Sequence, residues 1–347
     1  MSEISQTLKP LIAKIGDGTA LSEQEAEQAF NSIMSGEASP AQIGAFLMGL
    51  RVRGETVAEI TGAVRVMREK ALMVSAPSDA MDIVGTGGDG HGTYNVSTAT
   101  AFVVAGAGVP IAKHGNKAVS SNAGTADALS ALGINLDTDM ANVERSIAEA
   151  GIGFLMAPRH HSAMRHVGPI RAELGMRTIF NILGPLSNPA GVKKLLVGTY
   201  SKELAQPMAQ TLLNLGAEAA WVVHGDQGLD ELSTTGPNLV ARIANGSIET
   251  TTVTPADAGL PEAKLDDLLG GSAEYNAAAI RALLAGEPGP YRDIVLFNAA
   301  AALIVAGKVS DLKEGVAMAA ASIDDGKAQA ALDKMVSICV PPEGNAA

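Results

Sequence analysis

The chain has 347 residues, 47% of them hydrophobic and 3% aromatic, with a formal net charge of -12 at pH 7. This length and apolar content fill one large or two ordinary domains and exclude a disordered chain, while the acidic balance excludes a general affinity for nucleic acid or anionic membranes. The single cysteine, Cys339, rules out an intrachain disulfide; with no signal-peptide blocks at Met1-Ser2-Glu3-Ile4 and no run of about 20 apolar residues, the expected location is the cytoplasm.

Residues 4–73 read as helix throughout. Leu8, Leu11, Ile12 and Ile15 recur at helical spacing, Ser22 with Glu25 and Thr56 with Glu59 spell capping boxes, and Ser39-Pro40 sets a cap and a first-turn proline before Ile43, Phe46, Leu47 and Leu50. The stretch 74–80, with Pro77 inside it, is a linker. Beyond it the pattern changes to short apolar runs alternating with helical stretches. Strands are expected at 82–84, 110–112, 153–156, 194–199 and 219–224, each separated from the next by enough chain for a helix. The tail from about Gly271 returns to alanine-rich helices. The expected fold class is therefore α/β: a small N-terminal all-helical domain plus a larger α/β domain with a mostly parallel central sheet flanked by helices. Ligands of such sheets bind beyond the carboxyl ends of the strands, where Gly85, Lys113, Ala157 and His224 are expected to fall.

The first strand runs into GTGGDG at 85–90. A glycine turn after a strand exposes backbone N–H groups, and a following helix N-terminus adds partial positive charge, so the pair favours a bound anion. No Asp or Glu occurs between Asp89 and Asp127, whereas Lys113 and Lys117 fall inside that interval. Thr93, Asn95, Ser97 and Thr98 crowd the helix entry with groups able to donate to phosphate oxygens or offer a neutral oxygen to a metal. The stretch 85–125 is thus read as a phosphate cradle. The glycines also satisfy G-x-G-x-x-G, but a dinucleotide site needs an acidic residue about 20 positions on, where this chain has Val109-Pro110-Ile111-Ala112-Lys113. An acidic protein that binds a phosphate-rich ligand needs local positive potential or a cation, which points to Mg²⁺. His160, His161 and His166 lack zinc-ligand spacing, and His91, His114 and His224 adjoin glycines, so no zinc site is expected.

With GTGGDGHGTYNVST at 85–98, KHGNKAVSS at 113–121, RAELGMRTIFNILGPLSNPA at 171–190 and HGDQGLDE at 224–231, the chain closely resembles the anthranilate phosphoribosyltransferases of tryptophan biosynthesis. The match is colinear and spans most of the chain. It implies a homodimer. Each subunit would have a helical domain at 1–75, with about 169–187 packing against it, and an α/β domain at 78–168 and 190–340, with substrates in the cleft between. The fold is shared with pyrimidine nucleoside phosphorylases. The implied reaction is transfer of a phosphoribosyl group from 5-phosphoribosyl 1-pyrophosphate (PRPP) to the amino group of anthranilate, with release of pyrophosphate. The aromatic amine is already neutral at pH 7, so catalysis should come from stabilising the leaving group and aligning the amine through an oxocarbenium-like transition state, with no residue as general acid or base.

Carried over residue by residue, the resemblance places Gly85, Gly88, Asp89, Thr93, Asn95, Val96, Ser97 and Thr98 around PRPP. Lys113, His114, Gly115, Asn116, Lys117, Ala118, Val119, Ser120, Ser121 and Thr125 line the same substrate, with Lys113 as a point charge and the small Gly115 permitting close backbone approach. Ser97, Asp230 and Glu231 correspond to Mg²⁺ ligands, and Gly85, Asn116 and Arg171 to anthranilate contacts. Local sequence alone does not rank Arg171 above Arg159, Arg165 or Arg177, and Arg177 is open to a structural role beside carboxylates. Two departures stand out. Lys117 replaces the arginine of KHGNR, and Asn122-Ala123 replaces the Lys-Ser of S-K-S-G. The string 124–127 leans towards the pyrimidine phosphorylases, whereas RTIFNILGPL and the Asp230-Glu231 pair favour the anthranilate enzymes. A non-catalytic, nucleic-acid-binding relative would need a basic face that this acidic chain lacks.

Overall fold

The structure, a computed structural model, describes residues 8–116 and 124–340. It opens with four helices, α1 (Leu8–Gly16), α2 (Glu23–Met34), α3 (Pro40–Arg53) and α4 (Val57–Glu69). The expected caps start three of them: Ser22, Ser39 and Thr56 each accept from the backbone N–H three residues on, and Glu25, Gln42 and Glu59 reach back. Glu59 does more than cap. Fully buried, it also accepts from Leu21 N at 2.8 Å and pairs with Arg53, tying the start of α4 to the α1–α2 loop and the end of α3.

The chain then alternates: β1 (Met81–Gly85), α5 (Val96–Gly106), β2 (Ile111–Gly115), α6 (Thr125–Ala131), α7 (Met140–Ala150), β3 (Ile152–Met156) and α8 (Ala157–His160). It continues through α9 (Gly168–Leu174), α10 (Phe180–Leu186), β4 (Lys194–Gly198), α11 (Lys202–Asn214), β5 (Ala219–His224), β6 (Asn238–Ala244) and β7 (Ser247–Val253). Four helices close the chain, α12 (Ala273–Leu284), α13 (Pro290–Ala306), α14 (Leu312–Asp324) and α15 (Lys327–Ile338).

The strands form one seven-stranded sheet in the order β3-β2-β1-β4-β5-β6-β7. The first five are parallel, as expected, but β6 and β7 run antiparallel and were not foreseen. They form a hairpin that closes on Asn245-Gly246, both at positive φ (53° and 72°), and pairs Ala244 with Ser247.

Alternate side chains feed two cores. Ile83, Leu196, Trp221 and Val223 face α5, α13, α14 and α15, while Val84, Leu195, Val197, Ala220 and Val222 face α11 and share one apolar cluster with α1 to α4. Phe180 of α10 joins that second cluster. Its ring meets Phe30 of α2 at 5.6 Å and 61°, and Phe30 meets Phe46 of α3 at 5.7 Å and 79°, edge-to-face pairs worth about 0.5–1.5 kcal/mol each beyond burial. Among the described residues no helix is long and apolar enough to cross a membrane.

This strand order reverses direction between β1 and β4, because β2 and β3 lie to one side of β1 and β4 and β5 to the other. Loops leaving the carboxyl ends of β1 and β4 therefore diverge and leave a crevice, the usual ligand position in open α/β sheets.

Candidate functional site

The crevice is bounded by two glycines paired in register, Gly85 at the end of β1 and Gly198 at the end of β4. After β5 the chain turns through 225–229 and lays Asp230 over both. A Cβ at Gly198 would overlap the Asp230 carbonyl, and one at Gly85 would overlap its carboxylate, so close approach accounts for glycine at both positions. The Asp230 carboxylate accepts a hydrogen bond from Gly87 N at 2.6 Å. Gly85→Ala is therefore expected to displace that carboxylate and weaken Mg²⁺ binding about tenfold, read by titration calorimetry; wild-type affinity would show that the methyl is accommodated.

Asp89, Asp230 and Glu231 bring carboxylate oxygens within 4.8 Å of one another. At that spacing each ionised pair costs about 3–4 kcal/mol at an effective dielectric near 20. Burial, followed by the charge of Asp89, raises the Asp230 carboxyl to about 6. Burial, then Asp230 and Asp89, push Glu231 well above the usual carboxylate range, opposed by Lys113 and by the backbone N–H of Ser97. Three converging hard oxygens suit Mg²⁺. Of the expected ligand set, Asp230 and Glu231 are in this cluster and Ser97 adjoins it through its backbone, while Asp89, read only as a PRPP contact, joins them. Those carboxylates come from outside the acid-free interval, so the cradle's local field is set by its spatial neighbours.

Ser97 stands in the first turn of α5, whose N-cap Asn95 makes no side-chain cap bond. The Ser97 N–H is thus served by Glu231 in place of a local cap, and Val96 N donates to Tyr94 O at 2.8 Å. Val96 is buried against the sheet, Thr98 Oγ1 reaches Thr125 Oγ1 at 3.4 Å, and Thr93 bridges to Leu269. Asn116 O accepts from Ala126 N at 3.3 Å at the entry to α6. On the turn itself, Gly88 O accepts from Arg177, and Asp89 Oδ1 accepts from His91 N at 3.2 Å. Two residues that no motif marks also reach the helix entry: Asn276 and Tyr291 hydrogen bond to Asn95, and nothing near them in sequence signals it.

Two sequence expectations need correction. Lys113 is not at a strand end, because β2 runs to Gly115; its side chain is buried and Nζ donates to Ile83 O at 2.5 Å. Burial lowers it to about 8, against the opposing pull of Asp82, Glu231 and Asp230, so its charge faces the carboxylates beneath the crevice. A Cβ at Gly115 would lie 2.7 Å from the Phe154 ring, so packing against β3 also calls for a glycine there. Among the described residues Arg177 forms no ion pair with a carboxylate; it donates to Gly88 O and lies over the Tyr200 ring, 4.0 Å from the centroid. Lys117, Ala118, Val119, Ser120 and Ser121, with Asn122 and Ala123, lie outside the described residues.

His114 is buried, with Nδ1 3.0 Å from Gly184 O, and packs edge-on against His161 at 5.2 Å. Burial holds the two imidazoles down, at about 3 and about 4, so both are neutral at physiological pH. The His114 Nε2 atom is buried without a hydrogen-bond partner. The arginines separate clearly. Arg159 is committed to Leu136 O and Thr138 O, Arg177 to Gly88, and Arg165 to Ser162 O. Arg171 lies 5.6 Å from the Phe180 ring centroid and its buried Nε has no partner. A cleft of about 680 Å³ is lined by Arg51, Arg177, Ile182, Tyr200 and His224 among others.

The helical-bundle-domain model of the glycosyl transferase family matches residues 9–71, and that family's a/b-domain model matches 77–329. Anthranilate phosphoribosyltransferase of Rhodopseudomonas palustris (strain HaA2) is 61% identical over 330 residues, 95% of this chain and 98% of that protein. The crystal structure of anthranilate phosphoribosyltransferase from Thermus thermophilus superposes with a TM-score of 0.90 at 45% identity, covering 94% of this chain and 98% of that one. The enzyme from Saccharomyces cerevisiae in complex with PRPP and Mg also gives 0.90, at 31% identity over 97% and 99% of the two chains. In complex with 4-fluoroanthranilate it gives 0.87, at 30% identity over 96% and 98%.

Proposed function

Because the chain belongs to the anthranilate phosphoribosyltransferase family, we propose that its crevice between β1 and β4 binds Mg·PRPP and that Arg171 receives the carboxylate of anthranilate. The reaction is transfer of the phosphoribosyl group of PRPP to the anthranilate amino group, giving N-(5-phosphoribosyl)anthranilate and pyrophosphate. One observation carries the residue-level reading: Asp89, Asp230 and Glu231 converge where the glycine turn and the start of α5 also meet.

Asp89, Asp230 and Glu231 would hold Mg²⁺, with Ser97 beside them. When bound, the ion neutralises charge on the diphosphate and so eases its departure. The chain supplies the rest. Backbone N–H groups at 88–90, with Thr93, Asn95 and Thr98, would present donors to phosphate oxygens, and the start of α5 adds partial positive charge. Lys113 balances the carboxylate cluster from below. Asn116 would be an uncharged contact for anthranilate, and because burial keeps His114 neutral, no protonated imidazole there competes for the anthranilate carboxylate. The amine needs no activation, and its alignment with the sugar carbon does the catalytic work.

The same reading divides the chain into a helical domain at 1–75 with 169–187 against it, and an α/β domain at 78–168 and 190–340. It takes the protein to be a cytoplasmic homodimer. Purified protein given anthranilate, PRPP and Mg²⁺ should consume anthranilate, followed as loss of its fluorescence, and should lose that activity with EDTA. Robust phosphorolysis of thymidine or uridine, with anthranilate untouched, would overturn the assignment.

A further inference from the structure

Asn95 introduces α5 and belongs to the proposed PRPP contacts, yet its orientation is decided far away in the chain. Asn276, on α12 and 2% exposed, reaches it with Nδ2 2.9 Å from Asn95 Oδ1. The assignment of these two amides does not rest on choice. The other end of Asn276, Oδ1, accepts from Gly271 N at 2.8 Å, and a backbone N–H can only donate. That fixes Asn276 Nδ2 towards Asn95, which in turn must offer its oxygen. The Asn95 main chain is pinned as well: the Tyr291 hydroxyl donates to Asn95 O at 3.2 Å, and Tyr291 stacks on Tyr94 with centroids 4.2 Å apart. On the adjoining turn Tyr94 N donates to Leu268 O at 3.0 Å and Gly270 N to Gly92 O at 2.9 Å.

We infer that Asn276 is a positioning residue for the phosphoribosyl donor: by occupying Asn95 Oδ1, it turns the NH₂ end of Asn95 to the bound phosphates. Ionised phosphate oxygens only accept hydrogen bonds, so an Asn95 amide turned the other way would present them with a repelling oxygen. The inference rests on the reading that Asn95 touches PRPP.

A double-mutant cycle tests both layers separately. Asn95→Ala should raise the KM for PRPP about tenfold; Asn276→Ala should raise it severalfold, with kcat and the KM for anthranilate within about twofold of wild type. Asn276→Ala introduced into Asn95→Ala should add nothing. If Asn95→Ala leaves the KM for PRPP unchanged, the contact reading fails and the inference falls with it. If Asn95→Ala has its effect but Asn276→Ala has none, or multiplies undiminished in the double variant, only the positioning role is overturned. Should Asn276→Ala not fold, Asn276→Ser, which keeps a small hydroxyl beside Gly271 N, is read by the same criteria.

Discussion

Replacing both crevice carboxylates by their amides, D230N/E231Q, is expected to lower Mg²⁺-dependent turnover by about 100-fold or more while making the metal-free protein more stable. The amides keep an acceptor for Gly87 N and for the Ser97 N–H, so the local hydrogen bonds survive. The repulsion does not. The sign follows from Asp230, whose carboxyl ionises near its ordinary 3.8 when unfolded and near about 6 when folded. Between those values the folded state holds a proton the unfolded state has lost, so stability falls as pH rises from about 4 to about 6 and carries the full penalty above that. A rise of that size is worth on the order of a few kcal/mol, shared with the carboxylates beside it. The variant lacks this penalty and that of Glu231, raised in the same direction, so its stability advantage should be absent below about pH 4 and should grow as pH rises through about 6 and beyond in urea titrations without metal. Added Mg²⁺ should raise the Tm of the wild type and leave the variant unmoved. Unchanged turnover by the variant would remove the carboxylates from the metal's coordination.

The fold was legible wherever a local rule and the tertiary environment agree. Ser22, Ser39 and Thr56 cap helices by contacts within three residues, so their pattern survives without any knowledge of neighbours. The five parallel strands were found because strands buried on both faces read as short apolar runs. Their ends were harder: β2 continues through Lys113 and His114, polar residues whose partners Asp82 and Gly184 lie on other elements. The β6–β7 hairpin carried a usable signal in Asn245-Gly246. Its outer strand, Ser-Ile-Glu-Thr-Thr-Thr-Val, is exposed and polar, so hydrophobicity alone passes over it.

The site was legible as a set of motifs and opaque as an arrangement. A glycine turn after a strand suggests an anion through backbone geometry, and that signal needs only neighbouring residues. An acid-free interval from Asp89 to Asp127 says little about local field once Asp230 and Glu231 fold onto it. Likewise Gly85 and Gly198 are small because Asp230 crosses both, and Gly115 because of Phe154, contacts set by strand order. Asn276 and Tyr291 had no signal at all. Their importance lies in which atoms of Asn95 they occupy, and no spacing encodes that.

Arg171→Ala should raise the KM for anthranilate about 100-fold and leave the KM for PRPP within about twofold. The side chain sits where a guanidinium is costly: burial lowers its pKa, and among the described residues its Nε has no partner and its side-chain acceptor, Asn181 Oδ1, is 3.5 Å away. Among the described residues no carboxylate pairs with it. A cation held this way remains protonated and gains most from an incoming anion, since much of its desolvation is already complete in the free protein. Removing it should therefore not destabilise the unliganded chain, which separates a binding role from a structural one. Arg171→Lys keeps the charge and loses the fork, so its KM for anthranilate should rise about tenfold, between wild type and alanine. The sharper readout is discrimination. The wild type should favour anthranilate over the neutral anthranilamide, and the alanine variant should accept both almost equally. An equal rise in both KM values, or preserved discrimination in Arg171→Ala, would move carboxylate recognition to another arginine, of which the exposed Arg165 is the least committed.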